Sequence, residues 1–336
     1  MMFFGLFWRA WDLQVYEYDR LATLSNDNRI RLQSVPPSRG EIFDRHGRLL
    51  AENRPVYSVE IIPSQVDDMA SLLNQIARLI YLDEASVQRF MEQVESRPSF
   101  ESQTLKLELD EGEVARYAVH QHRFSGASLK VQIVRNYPYA GEALHAVGYV
   151  GRISQDDLAE IDREVYRGIR YIGRSGIEGM YESRLRGQIG FEQVETTAHG
   201  RSVRVLERQE PVNGEDLILG LDIDLQIAAR KALGDYRGAI VALDPASGDV
   251  LAFVSNPVYD PNLFVNGISQ KSYSELRDDL DKPLLNRALN GRYAPGSTIK
   301  VLVGLAALER GFSPAHTEYC PGWYSLPGSS HRYRCW

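Results

Sequence analysis

Residues 291–311 read GRYAPGSTIKVLVGLAALERG, and within them Ser297 stands three positions before Lys300. On a helix, side chains at i and i+3 share a face, so the lysine amine can come within reach of the serine hydroxyl. A serine relieved of its proton is an acyl nucleophile, and a positioned base contributes roughly 10²–10⁴ in rate. A helix N-terminus also favours the negative charge that develops in such a reaction. The competing reading is structural. A serine after Pro295 and Gly296, just ahead of an apolar helical run, suits an N-cap or a first turn. These residues alone leave both readings open. A lysine base must be neutral, which burial favours. The run Val301, Leu302, Val303, Leu305, Ala306 and Leu308 predicts such a buried setting, with Gly311 closing the helix.

A second group with chemistry lies further on, in YCPGWYSLPGSSHRYRCW, where His331 stands between Cys320 and Cys335. A disulfide, two plain thiols and a zinc site all fit, since thiolate and imidazole suit zinc. His331 is the weaker ligand, because Arg332 and Arg334 crowd it with positive charge. His120 and His122 are two apart, do not share a helix face, and read as ordinary polar residues. Gly173, Gly176 and Gly179 depart from the G-x-G-x-x-G spacing, and no strand–helix unit frames them, so a nucleotide site is excluded.

The elements that must position these residues follow from pattern. Pro36 and Pro37 stop any helix from the N-terminal side. DRHGRLLA reads as strand, turn and strand, and VYSVEII as a half-buried strand. Arg39, Asp44 and Arg45 suggest either a surface ion pair or a tied-down extended arm. Residues 64–125 are helical in pattern, with Val114, Ala118 and Val119 as one apolar stripe after an acidic first turn. PVNGED is a loop with the composition of a domain boundary. LILGLDIDLQIAARKAL is a strand leading into a helix, and residues 237–261 form a hairpin around an Asp-Pro-x-x-Gly turn.

The chain has 336 residues, which implies two or three domains. A net charge of -7 argues against nucleic acid as the main partner. Two cysteines exclude a disulfide-rich scaffold. The apolar opening run, broken by Arg9 and Asp12, falls short of the ~20 residues a spanning helix needs and lacks the features of a signal peptide. It reads either as an amphipathic helix or as the outer end of a membrane-anchor helix, and Trp8, Trp11, Tyr16 and Tyr18 suit a membrane–water interface.

Several blocks together are far more specific than Ser-x-x-K. RYAPGSTIK resembles the nucleophile motif of penicillin-binding proteins. RGEIFDRHGRLLAENRP resembles the start of the class B pedestal, and YPYAGEALHAVGYVGRI, GIEGMYESRLRG and LDIDLQ resemble its later blocks. YDPNLFVNGIS is similar to the elongation-type branch, penicillin-binding protein 2. The resemblance implies an α+β chain. Residues 1–22 would hold the outer end of an anchor and a juxtamembrane helix. Residues 23–214 would form the pedestal, or dimerisation, domain with a helical head over about 64–125. Residues 215–336 would be the N-terminal part of a transpeptidase domain.

That family's activity is peptidoglycan DD-transpeptidation, which β-lactams block covalently. By the resemblance, Ser297 is the acyl nucleophile and Lys300 its base. The implied partners are stem peptides, β-lactams and a membrane glycan polymerase, and the implied location is the inner membrane with the bulk of the chain in the periplasm. No cofactor is expected for the chemistry. Zinc bound by Cys320 and Cys335 is the metal that the resemblance suggests. The family's later Ser-x-Asn and Lys-Thr-Gly motifs do not occur after Lys300 within these residues, so the expectation is that this stretch alone does not cross-link. A non-catalytic pedestal module docked on the polymerase, and a β-lactamase or β-lactam sensor, are the alternative readings.

Overall fold

A computed structural model describes residues 2–17, 30–96, 98–154, 156–196, 202–265 and 267–334. The chain mixes helix and sheet and forms two compact units, Met1–Asn290 and Gly291–Trp336. Tyr18 lies outside the described residues.

In the first unit, helix α1 covers Met2–Trp11 and exposes Phe7, Trp8 and Trp11. Among the described residues, no helix is long and apolar enough to cross a membrane. The central strand is β3, Leu49–Ile61, which follows β1 (Ile30–Val35) and β2 (Ile42–Phe43). Two helices come next, α2 at Met69–Ile76 and α3 at Glu84–Ser96, then strand β4 at Gln103–Leu107. Helix α4 (Glu111–His120) leads to strand β5 (Ala127–Asn136). Strand β3 pairs antiparallel with β2 and β4, and also with β5 along ten residues from Glu52↔Asn136 to Ile61↔Ala127. The segment expected to alternate is instead buried continuously over Ser58–Ile61: Val59 and Ile61 join the core of α2, α3 and α4, while Gln132 and Ser102 enclose Ser58 and Glu60 on the other face.

Those helices start where capping chemistry allows. The Asp68 carboxylate accepts the Ser71 N–H, and Asp110 and Glu113 close a full capping box on α4. Their core gathers Ile61, Leu72, Ile76, Phe90 and Tyr117. The stripe expected from Val114, Ala118 and Val119 is displaced. Tyr117 and Glu113 turn inward, while Val119 is 69% exposed. Lys106 explains the buried Glu113, meeting its carboxylate at 2.6 and 2.8 Å.

The rest of the first unit packs on the other end of β3. Strands β6 (Val150–Arg152) and β7 (Tyr171–Gly173) pair, and are followed by the short helices α5 (Gly176–Met180) and α6 (Glu182–Arg186). Strands β8 (Gly190–Thr196) and β9 (Ser202–Gln209) form a three-stranded sheet with β1. Strand β10 (Leu217–Ile218) pairs parallel with β2, and helix α7 (Ile223–Leu233) starts under the Asp222 cap. The hairpin of β11 (Gly238–Leu243) and β12 (Val250–Asn256) then packs on α7 through Gln226. The Gln226 side chain donates to the Phe253 carbonyl and accepts the Phe253 N–H, satisfying both ends of a buried amide.

Arg39, Asp44 and Arg45 do not pair with one another. Asp44 is fully buried at the β2–β3 turn and accepts N–H groups from His46, Arg48 and Ile223. Burial opposes its ionisation, but these donors and the Arg48 guanidinium outweigh that and hold its carboxyl below the usual range. Asp44 thereby ties the β2–β3 turn to the start of α7.

Candidate active site

Ser297 and Lys300 lie in the second unit. Gly296–Ile299 is a 3₁₀ turn that runs directly into helix α8, Lys300–Glu309. Gly296 has φ +55, a left-handed conformation that a side chain would strain, and this swings the chain from Pro295 into the turn. Thr298, not Ser297, serves the turn's entry, since its hydroxyl donates to the Pro295 carbonyl. The Lys300 N–H donates to the Ser297 carbonyl, so the two residues close one 3₁₀ turn on each other. With three residues per turn, i and i+3 eclipse, and the two side chains share a face more closely than on an α-helix. The helix ends in a Schellman motif. The Phe312 N–H reaches the Ala307 carbonyl, the Gly311 N–H reaches that of Leu308, and Gly311 has φ +84.

Ser297 is therefore not an N-cap. It sits inside the first turn, with the positive end of a ten-residue helix behind it. Position is supplied; the expected burial is not. Lys300 is exposed, and the apolar residues of α8 are exposed too, Val301 by 71% and Leu302 by 65%. A helix that is apolar all round is built to be covered. Within its own unit, that cover over α8 is not formed.

The second candidate group is only partly placed. Cys320 and His331 are both exposed, while Cys335 lies outside the described residues. The His331 ring stacks edge-on against Tyr333 at 4.6 Å, and the Arg332 guanidinium lies 4.2 Å above the Trp323 ring. Strands β13 (Trp323–Tyr324) and β14 (Tyr333–Arg334) pair antiparallel here. Among the described residues no three His, Cys, Asp or Glu side chains gather as a metal site.

The first unit holds two polar clusters that the sequence did not single out. One centres on Glu178, fully buried on α5. It accepts Arg135 Nε at 2.7 Å, Arg39 Nε at 2.8 Å and the Tyr137 hydroxyl at 3.1 Å. The other is His145, whose ring meets Tyr259 edge-on at 6.1 Å and whose Nε2 is buried without a partner. Burial pushes its imidazole down from 6.5 to about 4; a bond to the Pro257 backbone opposes this, and Arg287 adds to it. The folded state thus resists a proton that the unfolded chain takes up. The contribution to stability is fully present above pH 6.5 and is lost as pH falls towards 4, about 2–3 kcal/mol by pH 4.5. His145→Gln is expected to flatten this dependence. Urea midpoints at pH 7 and pH 4.5 check it, and an equal acid loss in both proteins would rule it out.

Comparison with known proteins places this geometry. Residues 34–219 match the penicillin-binding protein dimerisation domain, and residues 238–336 match the penicillin-binding protein transpeptidase domain. The peptidoglycan D,D-transpeptidase MrdA of Acinetobacter baumannii is 42% identical over 325 residues, covering 96% of this chain and 48% of the relative. MrdA of Escherichia coli K12 is 41% identical over 331 residues, covering 97% and 52%. Among solved structures, Pseudomonas aeruginosa PBP2 in complex with WCK 5153 aligns with TM-score 0.60 at 37% identity, covering 91% of this chain and 48% of that one. Helicobacter pylori PBP2 in complex with MreC aligns with TM-score 0.75 at 29% identity, covering 91% and 58%. The chain spans about half the length of the curated relatives it matches.

Proposed function

Because this chain belongs to the penicillin-binding protein family, whose dimerisation domain matches residues 34–219, we propose that it serves a peptidoglycan D,D-transpeptidase of cell elongation. The observation that carries this reading is the single turn joining Ser297 to Lys300 inside the transpeptidase-domain match. Ser297 Oγ attacks the penultimate D-alanine carbonyl of a donor stem peptide and passes its proton to the Lys300 amine. The peptide C–N bond breaks, and terminal D-alanine leaves with that proton. An acceptor amine from a neighbouring strand then attacks the acyl-serine, forms the cross-link and returns the serine to its hydroxyl form. A β-lactam enters by the same attack, but its opened ring stays tethered, so the acyl-enzyme persists. The positive end of α8 favours the oxyanion in each step.

The likeness to MrdA and PBP2 proteins supports the elongation role. The Helicobacter pylori PBP2–MreC complex supports a protein partner, and a membrane glycan polymerase is the partner the proposal adds. The exposed aromatic residues of α1 support anchorage at the inner membrane, with the pedestal and Ser297 on the periplasmic side. The test is acylation of the full-length protein by a fluorescent penicillin, followed by mass mapping of the labelled peptide. Label on the peptide holding Ser297 is expected; stoichiometric label elsewhere would refute the assignment.

Zinc held by Cys320 and Cys335, with His331 the weaker ligand, is a narrower proposal. The described residues bring only Cys320 and His331 to the unit, short of the four ligands of a structural zinc, and no step of the acyl transfer is routed through a metal. Metal content of the full-length protein is expected to fall in Cys320→Ser and in Cys335→Ser. Unchanged zinc in both would end the proposal.

A further inference from the structure

The pedestal carries an open strand edge beside a cationic cleft, and the geometry points to this edge as the docking site for an extended acidic segment of a partner protein. The cleft has a volume of about 540 Å³ and runs along Lys130–Ile133 of β5, between residues 36–39 and residues 168–171. Among the described residues strand β5 pairs only with β3, so its other edge has no strand neighbour there. Which of its backbone groups face outward follows from one bond. The Tyr57 carbonyl accepts the Leu109 N–H at 3.0 Å, so Tyr57 points its backbone towards the β4 side. Alternation along β3 then turns Ser58 towards β5, where it pairs with Lys130. The backbone N–H and C=O groups of Val131 and Ile133 are left pointing away from the sheet. Pro55, which has no N–H to give, stands opposite Ile133, as this register allows.

The side chains along this edge specify what would pair with it. Val131, Ile133 and Arg135 lie on one face of β5, and the first two are 59% and 54% exposed. Arg135 lines the cleft yet its side chain is only 2% exposed. Its Nε is held by Glu178 and its Nη1 by Asn53, while Nη2 is buried with no acceptor. Lys130, Arg170 and Arg186 add positive charge to the lining. The one carboxylate there, Glu60, is engaged by Gln132 at 2.6 Å, by Ser102 at 2.6 Å and by Arg170 at 3.6 Å, which leaves Lys130 and Arg186 as the cations of these three that it does not meet. An incoming strand would take the outward N–H and C=O groups of Val131 and Ile133, lay apolar side chains on theirs, and present a carboxylate to Arg135 Nη2. A second copy of β5 is a poor occupant, since it would set Lys130 and Arg135 against like charges.

The test uses full-length protein and a fluorescein-labelled octapeptide alternating valine and glutamate. Fluorescence anisotropy is expected to show binding that weakens with salt, and binding at least tenfold weaker for the valine–glutamine analogue. Val131→Pro removes an outward N–H without touching the β3 ladder, and is expected to cost tenfold or more in affinity while penicillin labelling at Ser297 stays unchanged. Should Val131→Pro lower the melting temperature, Lys130→Glu, altering an exposed side chain, decides in its place with the same expected loss. Equal binding of the glutamine analogue, no binding of either peptide, or unchanged affinity in the deciding variant overturns the proposal. Competition by a soluble stem pentapeptide as strong as by the unlabelled octapeptide also overturns it, because the edge would then read cell-wall peptide, not a protein strand.

Discussion

Ser297→Ala in the full-length protein is expected to abolish covalent penicillin labelling and cross-linking, a loss of roughly 10⁴-fold or more. The residue caps nothing, because the turn's entry is made by the Thr298 hydroxyl and the Pro295 carbonyl, so the substitution removes an oxygen without removing a structural bond. Its melting temperature is expected to match the parent's. Lys300 separates the base from the helix end. Lys300→Gln keeps the turn and the dipole but cannot take a proton, and is expected to slow acylation by roughly 10²–10⁴. Lys300→Arg restores the charge, yet a guanidinium does not give up its proton in proteins, so it is expected not to rescue. Stopped-flow acylation of the three variants decides the roles. Rescue by arginine would make Lys300 an electrostatic residue only, and residual labelling of Ser297→Ala at the parental rate would place the nucleophile elsewhere.

The Ser297–Lys300 pair was legible because its geometry is local. Four consecutive residues fix the turn, and the Pro-Gly before them sets its entry. The acidic first turn of α4 and the closing turn at Gly311 were readable for the same reason. What the sequence could not show is set by topology. Arg39 meets Glu178 across 139 positions, so a local reading could offer an ion pair with Asp44 or a tied-down arm but could not name the partner. The inward turn of Tyr117 depends on which side of α4 the strands occupy, and an apolar count on the helix alone chose Val119. The apolar run after Lys300 marked the helix, but the buried setting expected from it is not observed. Whether cover forms is a property of what packs against the helix, and residues 291–336 do not supply it.

Glu178→Ala is expected to be the most damaging change in the pedestal. Glu178 joins three elements: Arg39 from the extended segment before β2, Arg135 and Tyr137 from β5 and its exit, and α5 itself. The Tyr137 hydroxyl passes the link on by accepting the Val150 N–H at 2.8 Å. Removing the carboxylate strands the Arg135 guanidinium, whose side chain is 2% exposed, while Arg39 keeps Glu182 at 2.7 Å. Breaking a buried pair in this way costs about 3–5 kcal/mol, because the remaining charge has lost both water and partner. For a domain of this size that is a drop in melting temperature of roughly 6–20 °C. The cost belongs to the orphaned charge more than to the ion pair, and this makes a second prediction. Adding Arg135→Met to Glu178→Leu replaces the buried pair by apolar side chains and leaves Arg39 on Glu182, and is expected to recover most of the lost stability. Thermal unfolding of the single and double variants tests both statements. A silent Glu178→Ala would mean that water already serves the Arg135 guanidinium. A double variant no better than the single one would mean that the hydrogen bond to Tyr137, not the charge, holds these elements together.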